Sequence, residues 1–161
     1  MSEIDPKHFR NVMGQVPTTV TVVTAMVDDK PIAMVIGSFV SVSLDPPLAG
    51  FFCTSSSYSW ELLKQADVMG VNVLAADQID VSNNCMRDLD ERFDGLDWEV
   101  VDGAPKIAGT TAWLTLTMRE IVGAGDHEFA LCNVTHLEAA DPAEEPVIFY
   151  GGGYRTLAPK E

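Results

Sequence analysis

The chain has 161 residues, 47% of them hydrophobic and 21% charged, which is the make-up of a folded domain with a real core and excludes a disordered chain. Ten Lys and Arg against 24 Asp and Glu give a net charge of −14, which repels phosphate backbones and anionic lipid surfaces and argues against nucleic-acid and membrane partners. Cys53, Cys85 and Cys132 are widely spaced with no CxxC pair, so neither a disulfide framework nor a zinc site is expected.

Met1-Ser2-Glu3-Ile4-Asp5 lacks the basic-then-apolar order of a secretory signal, and no apolar run reaches the length that spans a bilayer. A cytoplasmic chain is expected. Asp5-Pro6 opens a helix, with Asp5 as N-cap and Pro6 at the first helical position; Phe9, Val12 and Met13 follow at helical spacing, and Gly14 ends it. Residues 18–26 are rich in β-branched side chains and predict a strand, which the polar turn Asp28-Asp29-Lys30-Pro31 returns as a second strand over 32–39. From Phe39 to Leu44 apolar residues alternate with serines, so one face is expected to pack and the other to hold something polar. Asp45-Pro46-Pro47 is expected to end that ladder and take the chain out of the sheet.

An apolar strand over 48–53 leads into Thr54-Ser55-Ser56-Ser57, four hydroxyls and four backbone N–H groups beside a helix expected over 59–65. That is a pattern suited to a phosphate or another anion. Trp60 and Leu63 share one face of the helix. A strand over 68–74 follows, then helical periodicity over 77–89, an acidic loop over 88–97, an extended stretch at 98–101 and the turn Asp102-Gly103-Ala104-Pro105. Residues 111–122 form a long alternating strand, broken by Gly123-Ala124-Gly125-Asp126 and answered by a strand over 128–137. After an acidic loop over 141–146, the last strand is expected at 147–150. Cys53 and Cys132 lie in apolar runs and read as small buried hydrophobes, and His8 and His136 as structural. Strands outnumber helices and do not alternate with them, and no glycine-rich βα turn stands near the start. One domain over 1–161 is therefore expected, mainly β, a closed antiparallel barrel with a few flanking helices rather than a parallel dinucleotide fold.

Several stretches then combine. Pro17-Thr18-Thr19-Val20-Thr21-Val22-Val23-Thr24, the run from Gly37-Ser38-Phe39 to Leu48, Val71-Asn72-Val73-Leu74, Arg92-Phe93-Asp94-Gly95-Leu96-Asp97-Trp98, Gly125-Asp126-His127 and Gly153-Tyr154-Arg155 together resemble the short flavin reductases, over residues 9–157. These are the reductase components of two-component flavin-dependent monooxygenases. The resemblance implies a Greek-key split β-barrel, a homodimer, FMN or FAD as the flavin, NADH or NADPH as hydride donor, and a separate monooxygenase that receives the reduced flavin. Carried over position by position, the ring contacts fall on Met34, Val35, Ile36, Gly37, Ser38 and Phe39, and the phosphate contacts on Cys53, Thr54, Ser55, Ser56 and Ser57. Gln78, Ser82 and Asn83 fall where the following helix reaches the cofactor. Arg92 and Phe93 are expected over the pocket mouth, Arg92 otherwise in a salt bridge with Asp90 or Glu91.

His127 is the catalytic candidate, associated with the nicotinamide donor, with Asp126 placed to bias its tautomer. Gly153, Tyr154 and Arg155 offer close backbone approach, a stacking face and a charge for a dinucleotide phosphate, or else form a flexible tail. Relatives usually carry hydroxyls where this chain has Val35 and Gly37, glycines at Thr19 and Ala33, and a basic residue near Gly152. Each lost hydroxyl removes a hydrogen bond worth about 0.5–1.5 kcal/mol. Weaker or retuned flavin binding is the expectation, with Gly37→Ser tightening it. Two other readings remain open on these residues: a flavin-dependent oxidase or oxygenase acting on a small organic substrate, and a non-catalytic flavin-binding or dimerisation module.

Overall fold

The computed structural model describes residues 4–157. Helix α1 (Pro6–Met13) starts as expected, the Asp5 carboxylate accepting from the Lys7 and His8 backbone N–H groups at 3.3 and 3.1 Å. None of its residues is buried, and Phe9 and Val12 are each more than half exposed. The single strand expected over 18–26 divides at Val20 into β1 (Thr18–Thr19) and β2 (Thr21–Val27), which join different sheets. β2 and β3 (Lys30–Ile36) form the expected hairpin. Its two-residue turn, Asp28-Asp29, has φ of 49° and 61°, the left-handed pair whose twist matches that of the strands.

The double proline does not take the chain out of the sheet. β4 (Val40–Leu44) and β5 (Pro47–Thr54) pair as a hairpin closed by Leu44 opposite Pro47, and the prolines are tolerated because they flank an edge strand. The expected packed face of β4 is also uncovered: Val40 and Val42 are exposed and Leu44 is 92% exposed, since no layer among the described residues lies over that edge.

Helix α2 (Tyr58–Leu63), β6 (Met69–Val73) and α3 (Ile79–Asn84) come next. The periodicity over 77–89 belongs to α3 and a separate 3-10 turn at Leu89–Glu91. β7 (Trp98–Val101) pairs with β8 (Ala104–Ile107), a strand the sequence reading missed. The long strands β9 (Ala112–Ala124) and β10 (His127–Ala139) run further than expected, leaving only Gly125-Asp126 as their turn. β11 (Ile148–Tyr150) is not the last strand. Gly151 and Gly152, with φ of 60° and 79°, turn the chain back into β12 (Gly153–Arg155), a conformation that glycine adopts without strain.

The main sheet is antiparallel with order β3-β2-β6-β9-β10-β5-β4, accompanied by the sheets β1-β11-β12 and β7-β8. The fold is mainly β with few helices, as expected, but the ladders leave β3 and β4 as free edges, so backbone pairing does not close a barrel. Those two edges are nevertheless consecutive in the chain. The four steps from Ile36 to Val40 span at most about 14 Å, so the sheet has to curl until its edges approach each other at Gly37-Ser38-Phe39.

Inside the curl, Trp60 and Leu63 of α2 pack with Val23, Phe51, Met69 and Leu116. On the outer face Val20, Val22, Leu74, Cys85, Ile107 and Val147 form a second cluster. Buried Asn72 pins the β7–β8 hairpin to the sheet: its side-chain amide donates to the Val22 carbonyl at 3.2 Å, and its oxygen receives the Ile107 N–H at 2.7 Å. The three cysteines are buried, and burial pushes the Cys53 and Cys132 thiols up to about 12 and Cys85 up to about 11, so all stay neutral. No helix among the described residues is long and apolar enough to cross a membrane.

Helix α2 is clasped to β10 by Glu128, which accepts from Trp60 Nε1 at 2.6 Å and from Lys64 Nζ at 3.4 Å. The Trp60 bond first, and Lys64 after it, hold the Glu128 carboxyl below the usual range. A depressed folded pKa adds stability above the ordinary glutamate value of about 4.3, and that stability disappears as pH falls through the lower folded value. Glu128→Gln is expected to lower the melting temperature by a few degrees at pH 7, with the gap from the unaltered protein closing towards pH 3. A gap independent of pH would show that the carboxylate charge does not hold α2.

Candidate functional site

The end of β3 and the end of β5 face each other across a cavity of about 400 Å3, lined by Thr18, Met34, Val35, Ile36, Gly37, Ser38, Phe52, Cys53, Thr54, Ser57 and His127. Nine of the residues singled out in the sequence are thereby brought together; Thr18 and Phe52 were missed. Ser38 sits where the chain crosses from one sheet edge to the other. Its hydroxyl accepts the Phe52 N–H at 2.9 Å and donates to the Phe52 carbonyl at 3.1 Å, replacing a backbone rung in the gap. Its proton is therefore committed to the fold before any ligand arrives.

Gly37 and Thr18 form a pair across this wall. A Cβ built on Gly37 would stand 3.1 Å from Thr18 Oγ1, a close contact that admits a side chain at position 37 only if the threonine gives by a few tenths of an ångström. The sequence reading took Thr18 for the start of a strand. The signal that could have flagged it was the unusual glycine at 37, whose partner lies 19 residues away and only the fold reveals.

The two-residue turn Gly125-Asp126, with Gly125 at φ 72°, sets His127 opposite Thr54 in the β5–β10 ladder. His127 Nδ1 lies 2.7 Å from Asp126 Oδ1, and its Nε2 lies 3.4 Å from Thr54 Oγ1. Asp126 therefore fixes Nδ1 as the protonated nitrogen and turns Nε2 towards Thr54. The histidine bond holds the Asp126 carboxyl below its usual range.

The hydroxyl-rich turn is partly committed. Ser55 N–H donates to the Asp126 carbonyl and Ser57 N–H to the Thr54 carbonyl, both at 3.0 Å. Ser57 Oγ caps α2 by accepting the Trp60 N–H at 3.3 Å and donates to Met34 Sδ at 3.7 Å. The exposed Ser55 and Ser56 hydroxyls and the Ser56 amide have no partner among the described residues.

The remaining residues expected at a cofactor lie outside this lining and hold the surrounding shape. Phe39 packs against the inner core. Gln78 receives the Ala75 N–H at 3.0 Å and donates to the Ala108 carbonyl at 2.7 Å. Ser82 is bonded to the Tyr154 hydroxyl at 2.9 Å, and Tyr154 meets Phe149 edge-on, while Asn83 lies on α3. Gly153, Tyr154 and Arg155 are a paired strand, not a flexible tail, and Arg155 bonds the Tyr154 carbonyl at 2.7 Å. Arg92 forms no salt bridge with Asp90 or Glu91. It donates to the Ala33 carbonyl at 2.5 Å, Ser59 Oγ at 2.7 Å and the Arg87 carbonyl at 2.9 Å, while Arg87 takes Glu91 at 2.8 Å. Phe93 packs edge-on against Trp98 and lines a second cavity beyond α2.

An apolar wall from Met34 to Ile36, backbone opened at Gly37, hydroxyls from Thr18 and Thr54, and one oriented imidazole make a slot for a flat heteroaromatic ring with a polar edge. A flavin ring fits that donor set.

Comparison with known proteins agrees with that chemistry. The family model for the flavin reductase like domain matches residues 13–158. A flavin reductase from Pseudomonas putida is 40% identical over 159 residues, covering 98% of this chain and 93% of the relative. The reductase subunit of a flavin-dependent monooxygenase, HsaB, from Mycobacterium tuberculosis is 35% identical, covering 99% and 87%. Among solved structures, an NADH:FAD oxidoreductase from Streptomyces globisporus, in complex with NAD and FAD fragments, superposes with a TM-score of 0.90 at 34% identity, covering 99% of this chain and 98% of the other.

The Thr18–Gly37 contact sets a condition on Gly37→Ser, because the Thr18 side chain has to yield by a few tenths of an ångström before a serine hydroxyl can enter. Alone, the serine has to push the Thr18 hydroxyl aside, and flavin affinity in titration is expected to fall about twofold to tenfold, the scale of one hydrogen bond. Combined with Thr18→Ala, the serine hydroxyl is expected to recover the loss, with a coupling of about fivefold between the two sites. Additive effects would mean that the two side chains do not compete for that space.

Proposed function

The chain belongs to the flavin reductase like domain family, and on that footing we propose that it reduces FMN or FAD with NADH or NADPH and passes the reduced flavin to a separate monooxygenase component. The observation that carries this reading is the cavity at the β3 exit with His127 at its edge, whose lining includes five of the six residues the family likeness assigned to the ring. A flavin ring held by Met34, Val35, Ile36 and Gly37 would supply the redox chemistry, accepting the hydride of the nicotinamide donor together with a proton from solvent.

What the chain supplies is placement. Met34, Val35 and Ile36 give the ring an apolar wall, and Gly37 lets it approach the backbone. His127, with Nδ1 tied to Asp126, presents Nε2 at the edge as a hydrogen-bond partner for the donor's polar group. Two flat rings held at close approach need neither a nucleophile nor a general base. The His127 side chain is 43% exposed, so this edge of the cavity is open to solvent.

We read the curled sheet as a split barrel forming one domain over 1–161, and the assembly as a homodimer in the cytoplasm. The uncovered apolar residues of α1 and β4 support the dimer, because patches of this kind are ordinarily covered by a partner.

The test is aerobic NADH oxidation by the purified protein, without flavin and with added FMN or FAD. Turnover that rises with free flavin and saturates is the expected outcome. Bound flavin whose visible spectrum stays unbleached by NADH would overturn the reading and favour an oxygenase acting on another substrate or a non-catalytic module.

A further inference from the structure

Two sulfur atoms belong to the lining of the ring slot, Met34 on β3 and Cys53 on β5. They differ in what an oxidant can do to them. A thiol reacts as its thiolate, and burial pushes the Cys53 thiol up to about 12, so it stays neutral. A thioether needs no deprotonation before it is oxidised. Met34 is also half-buried where Cys53 is buried, so it is the more accessible sulfur of the two.

The fold places the Met34 sulfur as well as exposing it. Ser57 Oγ donates to Sδ at 3.7 Å, and Ser57 is itself a slot residue, so the thioether stands where the β3 wall meets the start of α2. The same Ser57 oxygen accepts the Trp60 N–H at 3.3 Å and caps the helix with its lone pair, leaving its proton for sulfur. A thioether is a weak acceptor and a sulfoxide a polar one. An oxygen added to Sδ therefore finds a donor already aimed at it, and α2 stays capped. The reaction proposed for the slot makes an oxidant at that place. When no partner component withdraws the reduced flavin, dioxygen reaching the ring takes up two electrons and two protons and becomes hydrogen peroxide.

We propose that Met34 is a self-oxidation site: hydrogen peroxide formed in the slot converts its thioether to the sulfoxide, and the altered wall binds flavin less tightly. The proposal rests on the reading of the chain as a flavin reductase. In the step, the sulfur lone pair forms the S–O bond as the O–O bond breaks. Sulfur is oxidised by two electrons, and the second oxygen leaves as water with both peroxide protons. Formation inside the slot gives the peroxide an effective concentration at Met34 that it lacks elsewhere on the surface. The new oxygen then sets a polar group on a wall that Met34, Val35 and Ile36 otherwise keep apolar for the ring. Turnover without a partner thereby restrains itself, and methionine sulfoxide reductases reverse the change.

The test runs the full chain under air with NADH and either FMN or FAD, with and without catalase, and maps methionine oxidation by peptide mass spectrometry. Met13 and Met86, 48% and 55% exposed, report on peroxide in bulk solution, and protein given hydrogen peroxide alone calibrates them. Met34 sulfoxide that accumulates during turnover and persists with catalase, while Met13 and Met86 are spared, is the expected result. Flavin affinity after turnover is expected to fall about tenfold, the scale of one unmatched polar group, and to recover on treatment with methionine sulfoxide reductases. Met34→Leu, which conserves volume and keeps the wall apolar, is expected to bind flavin equally before and after turnover. Met34 left unoxidised, or protected by catalase as fully as Met13 and Met86, overturns the proposal and leaves the reductase reading standing. An equal loss of affinity in Met34→Leu does the same. Absence of NADH oxidation with either flavin overturns both.

Discussion

Four residue steps between Ile36 and Val40 join the two outermost strands of a seven-stranded sheet, and the rest of the molecule follows from that shortness. A chain that brief cannot cross an open sheet, so the sheet curls, and α2 enters the curl with Trp60 and Leu63 as its filling. Where the edges meet no ladder forms. Ser38 takes the place of the missing rung through two hydrogen bonds to Phe52. Each ordinary hydrogen bond contributes about 0.5–1.5 kcal/mol net, so a side chain that satisfies both groups of Phe52 is well placed to hold the seam.

The same seam makes the site. Because the backbone changes edges at Gly37-Ser38, the β3 exit is unpaired on one side and opens on the β5 end, and His127 arrives opposite Thr54 through the tight Gly125-Asp126 turn. Three separate lengths of chain converge where the sheet is least able to satisfy itself. The supporting contacts are polar and lie behind the cavity: Arg92 ties the 3-10 segment to Ala33 and Ser59, and Glu128 ties α2 to β10. Both brace the elements that carry slot residues, β3 and the start of α2, without lining the slot themselves.

Much of this was legible in the sequence. Asp5-Pro6 and Gly14 bound α1, the β-branched run with Asp28-Asp29 gave the first hairpin, and the long alternation around Trp113 gave β9. Periodicity alone did not tell which face of β4 would be covered, because alternation defines two faces and only the tertiary fold supplies a layer. β8 and β12 were missed because each is short and begins beside turn-forming glycines, so their local signals read as loop. In the site, residue identity was visible but commitment was not. Ser38, Ser57, Gln78 and Arg92 all looked available to a ligand, and each is engaged by the chain's own groups. Thr18 was hidden for the opposite reason, since its relation to Gly37 exists only across the seam.

Hydrogen–deuterium exchange with and without saturating FMN tests most directly whether the seam is the ring site. New protection concentrated in residues 34–38, 53–57 and the segment around His127 is the predicted result. Protection centred on α3 or β12, with 34–38 exchanging as before, would contradict it.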